Sequence, residues 1–186
     1  MMGDLTKRLI ATRQYAAYNE ANRQNILRLI VMTATEQVFS PKAQRGKTVS
    51  GRVMTKVGKM VGSPLKGSTG LVHLTRKGID PIAYTNLMER GFKHRELNWI
   101  IPGRTLRHRL EKHQLLNQDE TGRLLRAAKI FAMAEEVFGS NDLAMKWLHK
   151  PRKAFDDMSA MEFIKTEAGA ILVEEMLGQI DSGYFA

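Results

Sequence analysis

The chain contains no cysteine among its 186 residues. Disulfides, thiolate nucleophiles, iron–sulfur clusters and cysteine-based zinc sites are therefore excluded, and the composition fits a reducing compartment. Long hydrophobic runs are also missing, because aliphatic runs such as residues 29–32 do not exceed four residues and a membrane span needs about 18 residues. The first residues lack the basic, apolar and small-residue series of a signal peptide. We therefore expect a soluble cytoplasmic protein without a membrane partner.

Acidic side chains are scarce in the front of the chain. The whole chain has 29 Lys and Arg against 19 Asp and Glu, for a formal net charge of +10. Residues 41–70 hold seven basic and no acidic side chains, whereas residues 114–186 hold eight basic and twelve acidic ones. A basic excess favours a polyanionic partner. The basic front and acidic back indicate two different partners.

Residues 41–70 hold six glycines and little apolar surface, a composition that predicts a flexible basic linker. Upstream, apolar residues at roughly helical spacing predict a helical extension over 1–40. Residues 62–69 look superficially like a phosphate-binding loop, but Ser68 stands where the phosphate-contacting lysine is needed. We therefore expect no nucleotide and no other cofactor.

From residue 71 onward, start and stop signals separate segments of helical length. In the last of these segments Val173, Met176, Leu177 and Ile180 recur at i, i+3, i+4 and i+7, which predicts one buried helix face. The predicted helix starts are Asp80 with Pro81, Pro102, Asn117 with Glu120, Ser159 with Glu162, and Thr166. Period-two alternation is not sustained, so the sequence predicts an all-α fold.

A short helix at 93–99, a turn and a second helix from Pro102 to about His113 follow the order of a helix–turn–helix unit. Leu106 and Leu110 are expected to face the core. Arginine suits guanine edges, and lysine or histidine suits phosphate. The equally weighted alternative is a solvated basic helix face. The candidate DNA-binding residues are Arg104, Thr105, Arg107, His108 and Lys112.

No constellation for catalysis or metal binding is apparent. His108 and His113 are five residues apart, so they do not share a helix face. The acidic pairs at 119–120 and 156–157 lack an accompanying base or nucleophile. We expect neither an enzyme nor a metal site.

Residues 71–186 carry an ordered series of short motifs. The series resembles the Xre/MbcA/ParS antitoxin family, the partners of RES-domain toxins. The motifs that carry the resemblance are Arg104-Thr105-Leu106 with Arg109, Glu120-Thr121 with Arg123 and Arg126, the segment 134–139, Trp147-Leu148 with Pro151, Thr166 to Gly169 with Val173, Leu177-Gly178, Ile180, and the tail 183–186. Departures are Thr121 in place of the family's usual Ser, and Asp157 and Ala160 in place of its usual Gly and Pro.

The resemblance implies an Xre-like helix–turn–helix domain over 71–117 and a C-terminal toxin-binding domain over 118–186. It also implies a homodimer that represses its own operon through operator DNA and neutralises an NAD-consuming RES-domain toxin by covering its active site. Glu167 and Glu174 are candidate toxin contacts, with a solvated acidic face as the alternative reading. The tail is expected to insert at the toxin cleft; its residues are Asp181, Ser182, Gly183, Tyr184, Phe185 and Ala186.

Two further residues bear on packing. Trp147 is expected in the core rather than at an interface. Gly169 inside a predicted helix would be explained by a close helix–helix approach, whereas a plain helix start would not need glycine there. The alternative function for the whole chain is a stand-alone helix–turn–helix transcriptional regulator without a toxin partner.

Overall fold

The computed structural model describes residues 49–65 and 67–184. The predicted helical extension over 1–40 and the tail residues Phe185 and Ala186 lie outside this part of the chain. In the described residues the regular structure is helical, as predicted, with one isolated antiparallel bridge between Arg152 and Met158. The helices are α1 (Val49–Val61), α2 (Gly67–Lys77), α3 (Ile82–Met88), α4 (His94–Leu97), α5 (Gly103–Glu111), α6 (Gln118–Phe138), α7 (Asn141–His149), α8 (Ala160–Phe163) and α9 (Glu167–Asp181), with a turn of 3-10 helix at Lys153–Phe155.

The prediction of a flexible linker over 41–70 is wrong for most of the described residues in this range, which are 49–65 and 67–70. Helix α1 occupies residues 49–61, and α2 begins at Gly67. The apolar side chains of α1 recur at helical spacing and are buried: Val53, Met54, Val57, Met60 and Val61. Because these side chains supply a hydrophobic face, their burial offsets the ordering entropy that the glycine content led us to expect.

Helix α6 is the central element of the core. It has 21 residues and contacts α1, α2, α7 and α9. Its buried residues face several directions, as expected of a helix surrounded by others. The larger ones are Leu124, Leu125, Ile130, Phe131 and Val137. The helices on either side of α6 therefore belong to one hydrophobic core.

Most predicted helix ends are confirmed. Asn117 and Glu120 form a capping box at the start of α6, and Gly139 ends that helix with φ +76°. Ser159 and Glu162 form a second capping box, at the start of α8. The side chain of Thr166 accepts a hydrogen bond from the Gly169 amide at the start of α9. These interactions satisfy amide groups that have no partner within their own helix.

An aromatic cluster closes the C-terminal side of the core. Trp147 lies beside Phe138 in a tilted arrangement and meets Phe155 edge to face, with ring centroids 5.4 and 6.4 Å away, and Phe155 contacts Phe163. The guanidinium of Arg152 lies 4.3 Å from the Trp147 ring centroid, and burial lowers the pKa of Arg152 to about 10. Trp147 is buried, so its predicted place in the core is confirmed.

Candidate functional site

Helix α5 begins at the predicted place, with one side packed on the core and exposed basic side chains on the other. Pro102 precedes it in extended conformation, and Leu106 is its one buried residue. The candidate DNA-binding side chains lie on the outside: Arg104, Arg107, His108 and Lys112 are exposed, and Thr105 is half-buried. Leu110, which we expected in the core, is 37% exposed. It lies in the last turn of a nine-residue helix that contributes one residue to the core, so packing does not cover it.

Arg109 belongs to the scaffold beneath this basic face. Its guanidinium pairs with the buried carboxylate of Glu120, with Nε to Oε2 at 2.9 Å and Nη2 to Oε1 at 3.1 Å. It also donates to the carbonyl of Leu115 at 2.9 Å. The same Glu120 carboxylate caps α6 through the Asn117 amide. Arg109 therefore fixes the end of α5 to the start of α6.

A five-residue connection, 98–102, joins α4 to α5. Ile100 and Ile101 within it are fully buried, and Arg123 from α6 donates to the carbonyl of Trp99 at 3.1 Å. The connection is thus anchored on the core by apolar and polar contacts together. It brings a short helix, a turn and a basic helix into the predicted order.

Helix α9 sits very close to the chain that precedes it. A Cβ atom at position 169 would overlap the carbonyl oxygen of Phe163, so only glycine fits at this point. The predicted close approach at Gly169 is thereby confirmed. Val173, Met176 and Leu177 are buried, as their spacing predicts, and α9 is held firmly on α6 and α8.

The outward side of α9 carries two exposed aliphatic side chains beside the exposed Glu175, which sequence reasoning missed. Ile171 is 54% exposed and Leu172 is 49% exposed. The signal was available, because both lie off the i, i+3, i+4, i+7 face that contains Val173 and Leu177. Adjacent exposed aliphatic side chains on a well-seated helix are a candidate protein-docking surface.

The two acidic candidates on α9 differ in their surroundings. Glu174 is half-buried, and its Oε2 lies 2.6 Å from Nζ of Lys129 on α6. Glu167 is exposed, with Oε1 3.4 Å from Nη2 of Arg126. Glu174 is therefore committed to an intramolecular ion pair, whereas Glu167 remains accessible at the start of the helix.

The described part of the tail ends α9 in an ordered way. Gly183 has φ +64°, its amide donates to the Ile180 carbonyl at 3.1 Å, and the Tyr184 amide donates to the Gln179 carbonyl at 3.2 Å. This pair of bonds is a Schellman motif, for which glycine in the left-handed region is preferred. Asp181, Ser182 and Gly183 are exposed, and Tyr184 is 84% exposed.

An ion-pair cluster joins α1 to α6. Arg52 pairs with Glu136, and Nζ of Lys56 lies 3.2 Å from both the Glu135 and the Glu136 carboxylates. Arg90, beyond α3, approaches Glu135 at 3.7 Å. Burial acts to raise the pKa of Glu136, but the hydrogen bonds and charges of Arg52 and Lys56 outweigh it and hold this pKa below its usual range. The cluster connects residues 84 positions apart in the chain.

In residues 49–65 and 67–184, no group of three or more His, Asp or Glu side chains could hold a metal ion. No helix in this part of the chain is long and apolar enough to cross a membrane.

Parts of this chain are similar to known proteins. Residues 133–183, which include α9, match the family described as the antitoxin Xre/MbcA/ParS C-terminal toxin-binding domain. A protein named Antitoxin Xre from Pseudomonas putida is 42% identical over 118 residues, covering 63% of this chain and 66% of the relative. A second Antitoxin Xre, from Yersinia enterocolitica, is 28% identical over 87 residues, covering 46% of this chain and 59% of the relative. The matched residues thus span just under two thirds of the length of the first relative and about three fifths of the second.

The all-helical core and these matches define the class as antitoxin-type proteins with a C-terminal toxin-binding domain. The chain belongs to the Xre/MbcA/ParS antitoxin family.

Proposed function

We propose that this chain is the antitoxin of a type II toxin–antitoxin system. In this proposal it neutralises a RES-domain, NAD-consuming toxin by covering the toxin's active site with its C-terminal region, and it binds operator DNA to repress its own operon. The observation that carries the proposal is the match of residues 133–183 to a toxin-binding domain. The exposed apolar face of α9, inside that range, supports it with a surface suited to a protein partner.

We propose Ile171 and Leu172 as the centre of the toxin contact. Their side chains are half-exposed on a helix whose position is fixed by Gly169 and by the buried Val173. A rigid apolar face loses little conformational entropy on binding, which favours affinity. Glu167 and the tail residues 181–184 adjoin the start and the end of the same helix and extend the surface. Phe185 and Ala186 complete the proposed tail contact.

Glu174 has a smaller place in this contact than the sequence alone indicated. Its carboxylate already faces Lys129 at 2.6 Å, so pairing with a toxin cation would require breaking that ion pair. We therefore assign Glu174 mainly to the seating of α9 on α6.

The operator contact is proposed for the outer face of α5. Arg104 and Arg107 are exposed and Leu106 holds the opposite side on the core. This arrangement suits insertion into a major groove, with arginine at guanine edges and His108 and Lys112 at phosphates. Thr105, half-buried near the helix start, is within the same proposed contact. In this function 71–117 is the DNA-binding domain and 118–186 the toxin-binding domain, α1 being an added part of their shared core.

The proposed role is binding rather than catalysis, without cofactor or metal, in a homodimer in the bacterial cytoplasm. Both curated relatives are bacterial proteins named as antitoxins, which supports this assignment.

The test is co-expression with the product of the adjacent gene, followed by co-purification, bacterial growth and cellular NAD measurement. We expect a stable complex in which this chain restores growth and NAD. In the decisive variant, Ile171→Asp, we expect toxin affinity to fall about thirtyfold or more, because a charge is buried at an apolar contact.

Ile82→Asp is the matched control. Ile82 is 55% exposed against 54% for Ile171, but it lies on α3, outside the matched domain. Toxin binding should survive Ile82→Asp, and circular dichroism should show both variants folded. Equal loss in both variants, or no loss in Ile171→Asp, would remove α9 from the toxin interface.

A stand-alone transcriptional regulator is the second candidate, favoured by the basic outer face of α5 alone. It predicts specific binding to the region upstream of the gene and no complex with any neighbouring gene product. The absence of a RES-like gene next to this one would favour the stand-alone regulator over the antitoxin.

A further inference from the structure

A buried hydroxyl connects the helix before the proposed DNA-binding unit to the start of that unit. Tyr84 on α3 is fully buried, and its Oη lies 2.9 Å from Nδ1 of His94 and 3.2 Å from the His94 carbonyl oxygen. The rings meet edge to face, with centroids 5.7 Å apart. Burial raises the pKa of Tyr84 to about 12, so the hydroxyl keeps its proton at neutral pH. It donates that proton to one of these two His94 atoms.

The other edge of the His94 ring lies over the first residue of α5. A Cβ atom at position 103 would be 3.0 Å from Nε2 and 3.1 Å from Cε1 of His94. Gly103 is not among the residues with positive φ, so backbone conformation does not demand glycine here. What glycine provides is the space that the His94 ring occupies.

Helix α5 has few other contacts that fix its orientation. Leu106 is its one buried residue, and Arg109 ties its far end to Glu120. The near end meets the ring of His94, the first residue of α4. The direction of α5, and with it that of Arg104 next to Gly103, therefore depends on contacts at its two ends.

We propose that His94, anchored by the Tyr84 hydroxyl and seated over Gly103, is a positioning residue that sets the start of α5 against α4 and so aligns the helix for operator recognition. This inference rests on the proposed DNA-binding function. Bidentate arginine contacts to base edges depend on alignment, so a displaced helix start should reduce discrimination between operator and unrelated DNA. Phosphate contacts, which tolerate small shifts, should change less.

The experiment measures binding of the full chain to two duplexes of equal length by fluorescence anisotropy. One duplex carries the region upstream of the gene, and the other has unrelated sequence. We expect Gly103→Ala to reduce the ratio of the two affinities about tenfold, because the added methyl group must displace either the ring or the helix. In a His94→Ala background the same substitution should have an effect of about twofold or less.

Two further variants separate positioning from structural support. Tyr84→Phe removes the anchor of the ring while keeping the buried aromatic volume, so we expect the discrimination ratio to fall about fivefold. His94→Asn keeps a polar group near the Tyr84 hydroxyl but removes Nε2 and Cε1. If His94 is a positioning residue, His94→Asn restores the melting temperature relative to His94→Ala but leaves discrimination low. If its role is only structural, both recover together and the proposal is overturned.

The outcomes are distinguishable from failure of the proposed function. If the unmodified chain binds both duplexes equally, operator recognition fails and this inference fails with it. If the unmodified chain discriminates but the effects of Gly103→Ala and His94→Ala simply add, recognition stands and the positioning role is overturned. Unchanged toxin binding in every variant checks that the rest of the fold is intact.

Discussion

Helices α5 and α9 each pack one face on the same core but present opposite chemistry on the other. The outer face of α5 carries Arg104, Arg107 and His108, whereas that of α9 carries the aliphatic Ile171 and Leu172 beside one acidic residue, Glu175. A charged face attracts a polyanion over a distance and in a salt-dependent way. Binding at an apolar face is favourable only when a partner packs closely against it and removes its surface from water. The difference shows that the two surfaces suit different classes of partner.

The two helices also differ in how firmly they are seated. Helix α5 buries Leu106 alone, while α9 buries Gly169, Ala170, Val173, Met176 and Leu177. The orientation of α5 is therefore set by Leu106 and by contacts at its two ends, and that of α9 by packing along its length. Substitutions of single polar residues should consequently affect α5 more than α9.

The largest expected effect comes from removing the Arg109–Glu120 ion pair, which supports both helices through the shared core. Arg109→Ala leaves the buried Glu120 carboxylate without its partner beside the capped start of α6. Breaking such a pair costs about 3 kcal/mol, so we expect the free energy of unfolding in urea to fall by that amount. Both surfaces should be lost at the same denaturant concentration.

Lys112→Ala is the control, because Lys112 is exposed at the end of the same helix and its removal should change stability by less than about 0.5 kcal/mol. An Arg109→Ala variant with unchanged stability but weakened DNA binding would instead make Arg109 a DNA contact.

The next prediction affects α5 alone. Arg104→Ala and Arg107→Ala should each weaken binding to a specific operator by about 1–3 kcal/mol, without changing stability or toxin binding. Lys146→Ala on α7 removes one exposed positive charge elsewhere and serves as the matched charge control. Titrations at several salt concentrations separate lost base contacts from lost phosphate contacts. If operator affinity is insensitive to both arginines, α5 is not the recognition helix.

Local signals explain why the helix ends could be predicted. The capping boxes at Asn117 and Ser159 and the glycine terminator at Gly139 involve residues within four positions of one another. Their chemistry therefore operates within a single turn of helix and is readable in the sequence. The buried face of α9 was predictable for the same reason, because its period is a property of one segment.

Helix α1 was not predicted because composition over 30 residues concealed its pattern. Six glycines and an excess of positive charge dominate residues 41–70, although Val53, Val57 and Met60 keep helical spacing. The acidic partners that neutralise Arg52 and Lys56 lie on α6, more than 75 residues away by sequence numbering. The exposure of Leu110 could not be predicted for a related reason. The spacing of apolar residues defines a helix face, but it does not tell whether another element covers that face.

The third prediction affects α9 alone. Deletion of residues 182–186 removes the exposed Tyr184 and the Gly183 turn while leaving the buried face of α9 intact. We expect toxin affinity to fall by about 1–2 kcal/mol, as for loss of an aromatic contact at an interface, with operator binding unchanged. Tyr184→Ala separates the aromatic contribution from that of the rest of the tail. Full neutralisation by the deleted chain would show that the tail does not contact the toxin.

The smallest expected effect concerns the loop before α8 and neither surface. Asp157 has φ +60°, a region that costs residues with a Cβ about 1 kcal/mol or more and glycine almost nothing. Asp157→Gly, which introduces the residue that the sequence resemblance led us to expect here, relieves this strain but adds freedom to the unfolded chain, which costs about 0.5 kcal/mol. The net expectation is a gain of about 0.5 kcal/mol in urea unfolding. Asp157→Ala removes the same carboxylate but keeps the Cβ, so it should give no gain. A stability loss in both variants would instead assign the carboxylate a stabilising contact, and altered toxin affinity in Asp157→Gly alone would extend the α9 surface to this loop.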